Sequence, residues 1–300
     1  MKLTIQPPAK SLNKAYRKEK VSRADIELFK KNLVTVVSKI NESESEEHLK
    51  NVIAEFLKDT WYKDRYEINT KDRKDLVIHI GKFAKEPVGI ILEVKKPFNK
   101  AEMISETKPN AKALHELVLY YLRERIDHNN INIKYLIATN IYEWFIMDEV
   151  WFEKNVYRNT QLKKDYENFK LSGKDTKYFY ENIARPFLDG VTESIPTTSF
   201  DIRDFEKVII NRDKADDNRL ISLYKILSPA HLLKQPFAND SNSLDTKFYA
   251  ELLHIIGLEE IKEGSKKIIQ RKEKPDEASL LENAIKYFMF MLLWSILSRR

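Results

Sequence analysis

Residues Asp75–Pro97 read DLVIHIGKFAKEPVGIILEVKKP. Asp75–Ile80 and Val88–Val94 are β-branched runs of strand length, and the loop between them has Gly81 and Pro87 at its ends, which predicts a β-hairpin. In a hairpin centred near residue 84, facing residues have numbers that sum to about 168, so Asp75 faces Glu93. Facing side chains on one sheet face have β-carbons roughly 4.5–5.5 Å apart, close enough for two carboxylates to share one cation. Glu93 and Lys95 alternate onto the same face, about 6.6 Å apart along the strand.

The run VGIILEV is apolar on both faces, the pattern of a strand covered on both sides. Charge at its end is costly unless it is paired or metal-bound. An ion pair accounts for Asp75 with Lys95 but leaves Glu93 facing Asp75 as a like-charge pair. Mg2+ is satisfied by one or two protein carboxylates together with water and substrate phosphate, and Asp75 and Glu93 can supply that pair. A lysine beside the metal-bound water can position or deprotonate it for attack on a phosphodiester. The plainer reading, a charged hairpin end, stays open at this level: Glu-x-Lys recurs at Glu106–Lys108 and Glu260–Lys262, and Asp-x-Lys at Asp175–Lys177.

Outward from the hairpin, Ser22 followed by Asp25 reads as a capping box for a helix with Ile26, Phe29, Leu33, Val36 and Val37 at helical spacing. A polar break, NESES, leads to a second helix with Leu49, Val52, Ile53, Phe56 and Leu57 on one face. After Pro97, a helix is expected from Pro109 to about Ile126, then strands in IKYLIATN and EWFIMD. This order predicts an α/β fold, a mixed sheet flanked by helices. Beyond Tyr157 the pattern is mostly helical, with a break at TESIPTTS and a linker at Asn239–Ser243. The expected organisation is a domain over 1–195 and a helical connector region over 196–300.

The chain has 300 residues, 42% hydrophobic and 33% charged, with six glycines, which excludes a disordered chain. It has no cysteine, so disulfides, thiolate zinc sites and a cysteine nucleophile are excluded. The first twenty residues carry no apolar core of signal-peptide length, so a cytoplasmic location is the expectation. The most apolar run, Ala284–Leu297, falls short of the ~20 residues of a membrane span, and no membrane partner is expected. The net charge of +6 suits a polyanionic partner only mildly, because acids nearly match bases.

Asp75, Glu93 and Lys95, with Leu76 after the first acid and Val94 inside the triplet, resemble the PD-(D/E)XK nuclease motif. The stretches SLNKAYRK, SEEHLKNVIAEFLKDTWY, KALHELVLYYLRER and IATNIYEWFIMD resemble the N-terminal half of bacterial type IIG restriction endonucleases. FYAELLHIIGLEE and SLLENAI resemble their helical connector, which leads into an adenine-specific methyltransferase. The resemblance implies a restriction-endonuclease-like core and Mg2+-dependent cleavage of double-stranded DNA, with Asp75, Glu93 and the Val94 backbone carbonyl as metal ligands and Lys95 beside the attacking water. A repair or recombination nuclease of the same fold, or an inactive DNA-binding or assembly module, are the alternatives.

The family usually adds a glutamate on the first core helix, here Glu46 or Glu47. At 100° per residue Glu46 projects within about 60° of Leu49, whereas Glu47 lies about 160° away, so Glu46 is preferred. The methyltransferase's Asn-Pro-Pro-Tyr-type motif and glycine-rich loop are absent from these residues. S-adenosylmethionine and target recognition are therefore expected of a further C-terminal part, to which this chain would be fused.

Lys96, Lys112, Arg123 and Arg125 are candidate phosphate contacts, each also readable as a solvated charge. Asn140 is a candidate site-edge residue, or a turn former. His79 shares the face of Asp75 but reads more simply as packing. His115 and Glu116 lack the spacing of a zinc protease. Asp127–Asn130 reads as a helix-terminating loop, and Trp144 and Phe145 as core aromatics.

Overall fold

The structure, a computed structural model, describes residues 1–41, 44–71, 75–210, 218–235, 249–250, 252–254, 257–263 and 266–272. Of Lys71, Asp75, Lys262, Glu263, Lys266 and Lys267 it describes the backbone alone. Two compact units divide at Gln235/Pro236.

In the first unit the apolar run Val88–Val94 is strand β4, and all seven of its residues are buried. Six other strands join it: β1 Leu3–Gln6, β2 Ile68–Lys71, β3 Asp75–His79, β5 Tyr135–Thr139, β6 Glu143–Asp148 and β7 Ile195–Asp201. Their order across the sheet is β1-β7-β6-β5-β4-β3-β2. β4 runs parallel to β5 and antiparallel to β3, so the sheet is mixed. The β3–β4 register is Leu76↔Leu92, Val77↔Ile91 and Ile78↔Ile90, which holds the expected sum, and it shifts at a bulge between Ile78 and His79.

Three strands extend the sheet beyond the sequence reading. β1 and β2 are four residues long, too short to show a period. β7 lies in TESIPTTS, where proline and hydroxyl residues read as a break. Pro196 is tolerated because the Ile195 N–H donates to Lys2 on the β1 side, which leaves the absent N–H facing β6, where the ladder ends at Met147↔Thr197. The expected boundary at 195 therefore falls on the first residue of a sheet strand.

Helices α1 Arg23–Ser38, α2 Glu46–Leu57, α3 Lys112–Leu122, α4 Thr160–Leu171 and α5 Asn218–Ile226 flank the sheet. Ser22 caps α1 by accepting from the Asp25 N–H at 3.1 Å, and Ser45 caps α2 by accepting from the His48 N–H at 3.1 Å. α3 is the crossover from β4 to β5. Ten of its eleven residues, Ala113–Leu122, are buried, because the helix packs on β4 and β5 of the sheet and against the turn Tyr180–Ala184 in one apolar cluster. Each fully buried Leu here contributes about 1.5–3 kcal/mol.

The segment around α5 belongs to this unit. The Lys225 Nζ donates to the carbonyls of Tyr16, Arg17 and Glu19 at 2.7, 3.1 and 2.6 Å, and the Tyr62 hydroxyl donates to the Leu227 carbonyl at 2.8 Å. A Cβ on Gly89 of β4 would come within 2.6 Å of Leu233 Cδ2, so glycine is what lets this segment lie on the strand. In the second unit, β8 Leu258–Glu263 and β9 Lys266–Arg271 form an antiparallel hairpin, where the sequence was read as helical connector. Gly257 takes a left-handed φ of 73° just before β8. The linker expected at 239–243 and the apolar run 284–297 lie outside the described residues. Among the described residues no helix is long and apolar enough to cross a membrane.

Candidate active site

The C-terminal end of β4 opens into a cavity of about 570 Å3 lined by Glu46, Glu93, Lys95, Glu102, Lys112 and Glu116, among others. Alternation places Ile91, Glu93 and Lys95 on the α3 face of the sheet, and Ile90, Leu92 and Val94 on the other. Lys95 is 1% exposed and Glu93 2%. The Lys95 Nζ lies 2.9 Å from Glu93 Oε1 and 2.5 Å from Glu116 Oε2, the latter delivered by the first turns of α3. Glu46 Oε2, at the first turn of α2, and Glu102 Oε2 each lie 3.9 Å from the same nitrogen.

The electrostatics follow from that crowding. Burial, then the neighbouring Glu116, push the Glu93 carboxyl up to about 8, only partly offset by Lys95. Burial by itself would depress the lysine, but the facing Glu93 and Glu116 carboxylates outweigh it and hold Lys95 above its ordinary value, as an ammonium. Two buried acids therefore crowd the Lys95 ammonium, and a second buried cation lining the cavity, Lys50, also acts on Glu93.

The backbone fixes Asp75. Continuing the register from Leu76↔Leu92 sets it opposite Glu93 at the start of β3; its side chain lies outside the described residues. The Lys95 N–H donates to the Thr139 carbonyl at 2.9 Å on the β5 side, so the Val94 carbonyl of the same trans peptide points the opposite way, toward β3. Glu93 Oε2 is buried and makes no hydrogen bond, an orphaned carboxylate oxygen of the kind a hard cation satisfies. Among the described residues no three His, Asp or Glu side chains form a metal cage. Mg2+ bound through one or two carboxylates does not need one, and the unpartnered Glu93 Oε2 is a donor of the kind it takes.

Of the two helix glutamates, Glu46 lines the cavity, whereas Glu47 is exposed and does not. Lys112 also lines it, paired with Glu102 at 3.0 Å. The other proposed phosphate contacts stand elsewhere. Arg125 is buried, donates to Glu153 at 2.8 Å and lies 4.1 Å from the Tyr157 ring centre, which makes it a structural clamp. Asn140 folds the β5–β6 turn, its side chain accepting from the Glu143 N–H at 2.7 Å. Arg123 packs over Tyr120, and neither it nor Lys96 lines the cavity. His79 sits at the hairpin's far end, with Nδ1 2.6 Å from the Glu86 carbonyl. Asp127 accepts from the Tyr166 hydroxyl at 2.6 Å in the loop that ends the helix. Trp144 and Phe145 are buried.

The sequence reading missed Glu102 and Glu116. Glu116 had a signal: it is the one acid in the apolar run ALHELVLYYL, and a helix apolar all round is buried, so an acid inside it needs a partner. Glu102 comes from the irregular stretch after β4, where no period marks it.

The family described as Domain of unknown function (DUF7149) matches residues 6–240, and that described as Domain of unknown function (DUF7814) matches residues 241–293. The junction between the matches lies close to the Gln235/Pro236 division. No curated protein and no solved structure matches the chain. A family model spanning more than half of the chain makes it a member of the DUF7149 family.

Proposed function

We propose that this protein is a Mg2+-dependent endonuclease of the PD-(D/E)XK type that hydrolyses DNA phosphodiester bonds in the cytoplasm, as the cleavage part of a type IIG restriction–modification enzyme. The observation that carries the reading is the convergence of Glu93, Lys95 and Glu46 in one cavity at the end of β4, with Asp75 in register opposite Glu93. A mixed sheet with a helical crossover after the Glu-Val-Lys strand agrees with it. S-adenosylmethionine and target recognition fall to further domains in this reading.

Asp75, Glu93 and the Val94 carbonyl would hold Mg2+, which when bound supplies positive charge to the scissile phosphate. Lys95, held between Glu93 and Glu116, acts as a hydrogen-bond donor that orients the attacking water, whose proton leaves to solvent as the bond from phosphorus to the leaving oxygen breaks. Glu46 reaches the lysine from α2 and supports its position. An inactive module of the same fold would be expected to turn Lys95 away from Glu93, and the 2.9 Å contact favours the enzyme. The test is nicking of supercoiled plasmid with and without Mg2+. Mg2+-dependent cutting supports the reading, and its absence across duplex substrates opposes it.

A further inference from the structure

The cavity at the end of β4 carries charge of both signs. Glu46, Glu93, Glu102 and Glu116 gather around Lys95. Lys108, Lys177 and Arg185 line the same space, as do Lys50, Lys112 and Glu181. The first three cations are held weakly. Among the described residues the Lys108 ammonium meets the Ala101 carbonyl at 3.4 Å. Lys177 stands 3.9 Å from Glu181, an i,i+4 pair whose side chains are 74% and 57% exposed. Such pairs contribute at most a few tenths of a kcal/mol. No carboxylate of the described residues lies within ion-pair distance of the Arg185 guanidinium.

The wall that carries them is nonetheless anchored. The Asn110 side-chain amide donates to the Arg185 carbonyl at 3.1 Å and to Asp189 Oδ1 at 2.6 Å, while its oxygen lies 2.6 Å from His115 Nε2 on α3. This ties the helical turn bearing Arg185 to the helix that delivers Glu116. Exposed cations on a fixed frame lose little entropy on meeting an anion, and arginine's planar fork suits phosphate oxygens.

We propose that Lys108, Lys177 and Arg185 form a phosphate-binding wall that seats the backbone of the nucleic-acid strand whose scissile bond reaches Glu93 and Lys95. The ligand class rests on the nuclease reading. The wall contacts successive phosphates, so it positions the strand and does not read its sequence.

The test is duplex binding by the full chain in EDTA, followed by the fluorescence anisotropy of a labelled oligonucleotide across a salt series. Neutralising three contacts in Lys108→Ala/Lys177→Ala/Arg185→Ala lowers the slope of log K against log salt by about 2–3, at roughly 0.9 per phosphate. Arg158→Ala, an exposed cation off the cavity, leaves the slope unchanged. If the triple variant melts below wild type, the single charge reversal Arg185→Glu replaces it and must weaken binding at least tenfold. No duplex binding by wild type, or an unaltered slope in the variants, overturns the proposal. Because cleavage is not read, binding through this wall without Mg2+-dependent cutting would count against the nuclease reading alone.

Discussion

Lys95 Nζ sits 2.5 Å from Glu116 Oε2 and 2.9 Å from Glu93 Oε1, a single buried ammonium held between a strand carboxylate and a helix carboxylate. That contact joins β4 to α3 at the end of the sheet where the chain gathers its acids. The consequences can be tested on stability as well as on activity.

Lys95→Ala strips both carboxylates of their base while leaving them buried. The expected loss is about 3–5 kcal/mol, the scale for breaking a buried pair. It is pH-dependent, because the buried Glu93 carboxyl then keeps its proton to higher pH in the folded state than in the unfolded one. Stability so maintained is present at low pH and lost as pH rises, so the deficit in melting temperature relative to wild type is larger at pH 8 than at pH 5. A uniform deficit would mean that the carboxylates are not buried together.

Wild type shows the same linkage in milder form. The folded Glu93 carboxyl titrates near 8, above its ordinary value of 4.5, so its contribution to stability is full below about 4.5 and fades as pH rises through 8. A cation bound at Glu93 competes with that proton. Mg2+ therefore raises the melting temperature more at pH 8 than at pH 5.5, as differential scanning fluorimetry would record, and Glu93→Gln removes the difference.

Arg125 is a structural residue. Its guanidinium pairs with Glu153 and donates to the Asn130 carbonyl at 3.3 Å. Arg125→Ala is expected to cost about 2–4 kcal/mol in urea unfolding and to leave the salt slope of duplex binding unaltered. A lowered slope would return it to the phosphate contacts.

Lys225 donates to the carbonyls of Tyr16, Arg17 and Glu19 at the end of the short N-terminal helix Lys14–Lys18, the first of which also accepts from the Glu19 N–H. Lys225→Met keeps the stem but leaves these acceptors without the ammonium donor, and should cost about 2–4 kcal/mol. A fragment ending near residue 195 loses this contact along with all but the first residue of β7, and it should fail to fold cooperatively by calorimetry. A fragment ending at Gln235 should fold.

The sheet's centre was legible because β4 is a seven-residue apolar run with a charged end, and because a loop of symmetric length sets the register that brings Asp75 opposite Glu93. The helix phase that separated Glu46 from Glu47 was legible for the same reason, a strict period beside buried neighbours. The edges were not. β1 and β2 are too short to show alternation, and β7 carries a proline that is harmless only because of where the β6 ladder stops. Long-range side-chain partners were equally hidden: Arg125 looked like a free cation until Glu153 was placed beside it, and Glu102 lies in a stretch without periodicity.

The most direct test of the central claim is supercoiled-plasmid cleavage by wild type and by Lys95→Ala, assayed below the melting temperature of the variant with duplex binding measured in parallel. The account predicts that wild type cuts only with Mg2+, and that Lys95→Ala binds DNA but does not cut it. Full Mg2+-dependent cutting by Lys95→Ala would contradict it.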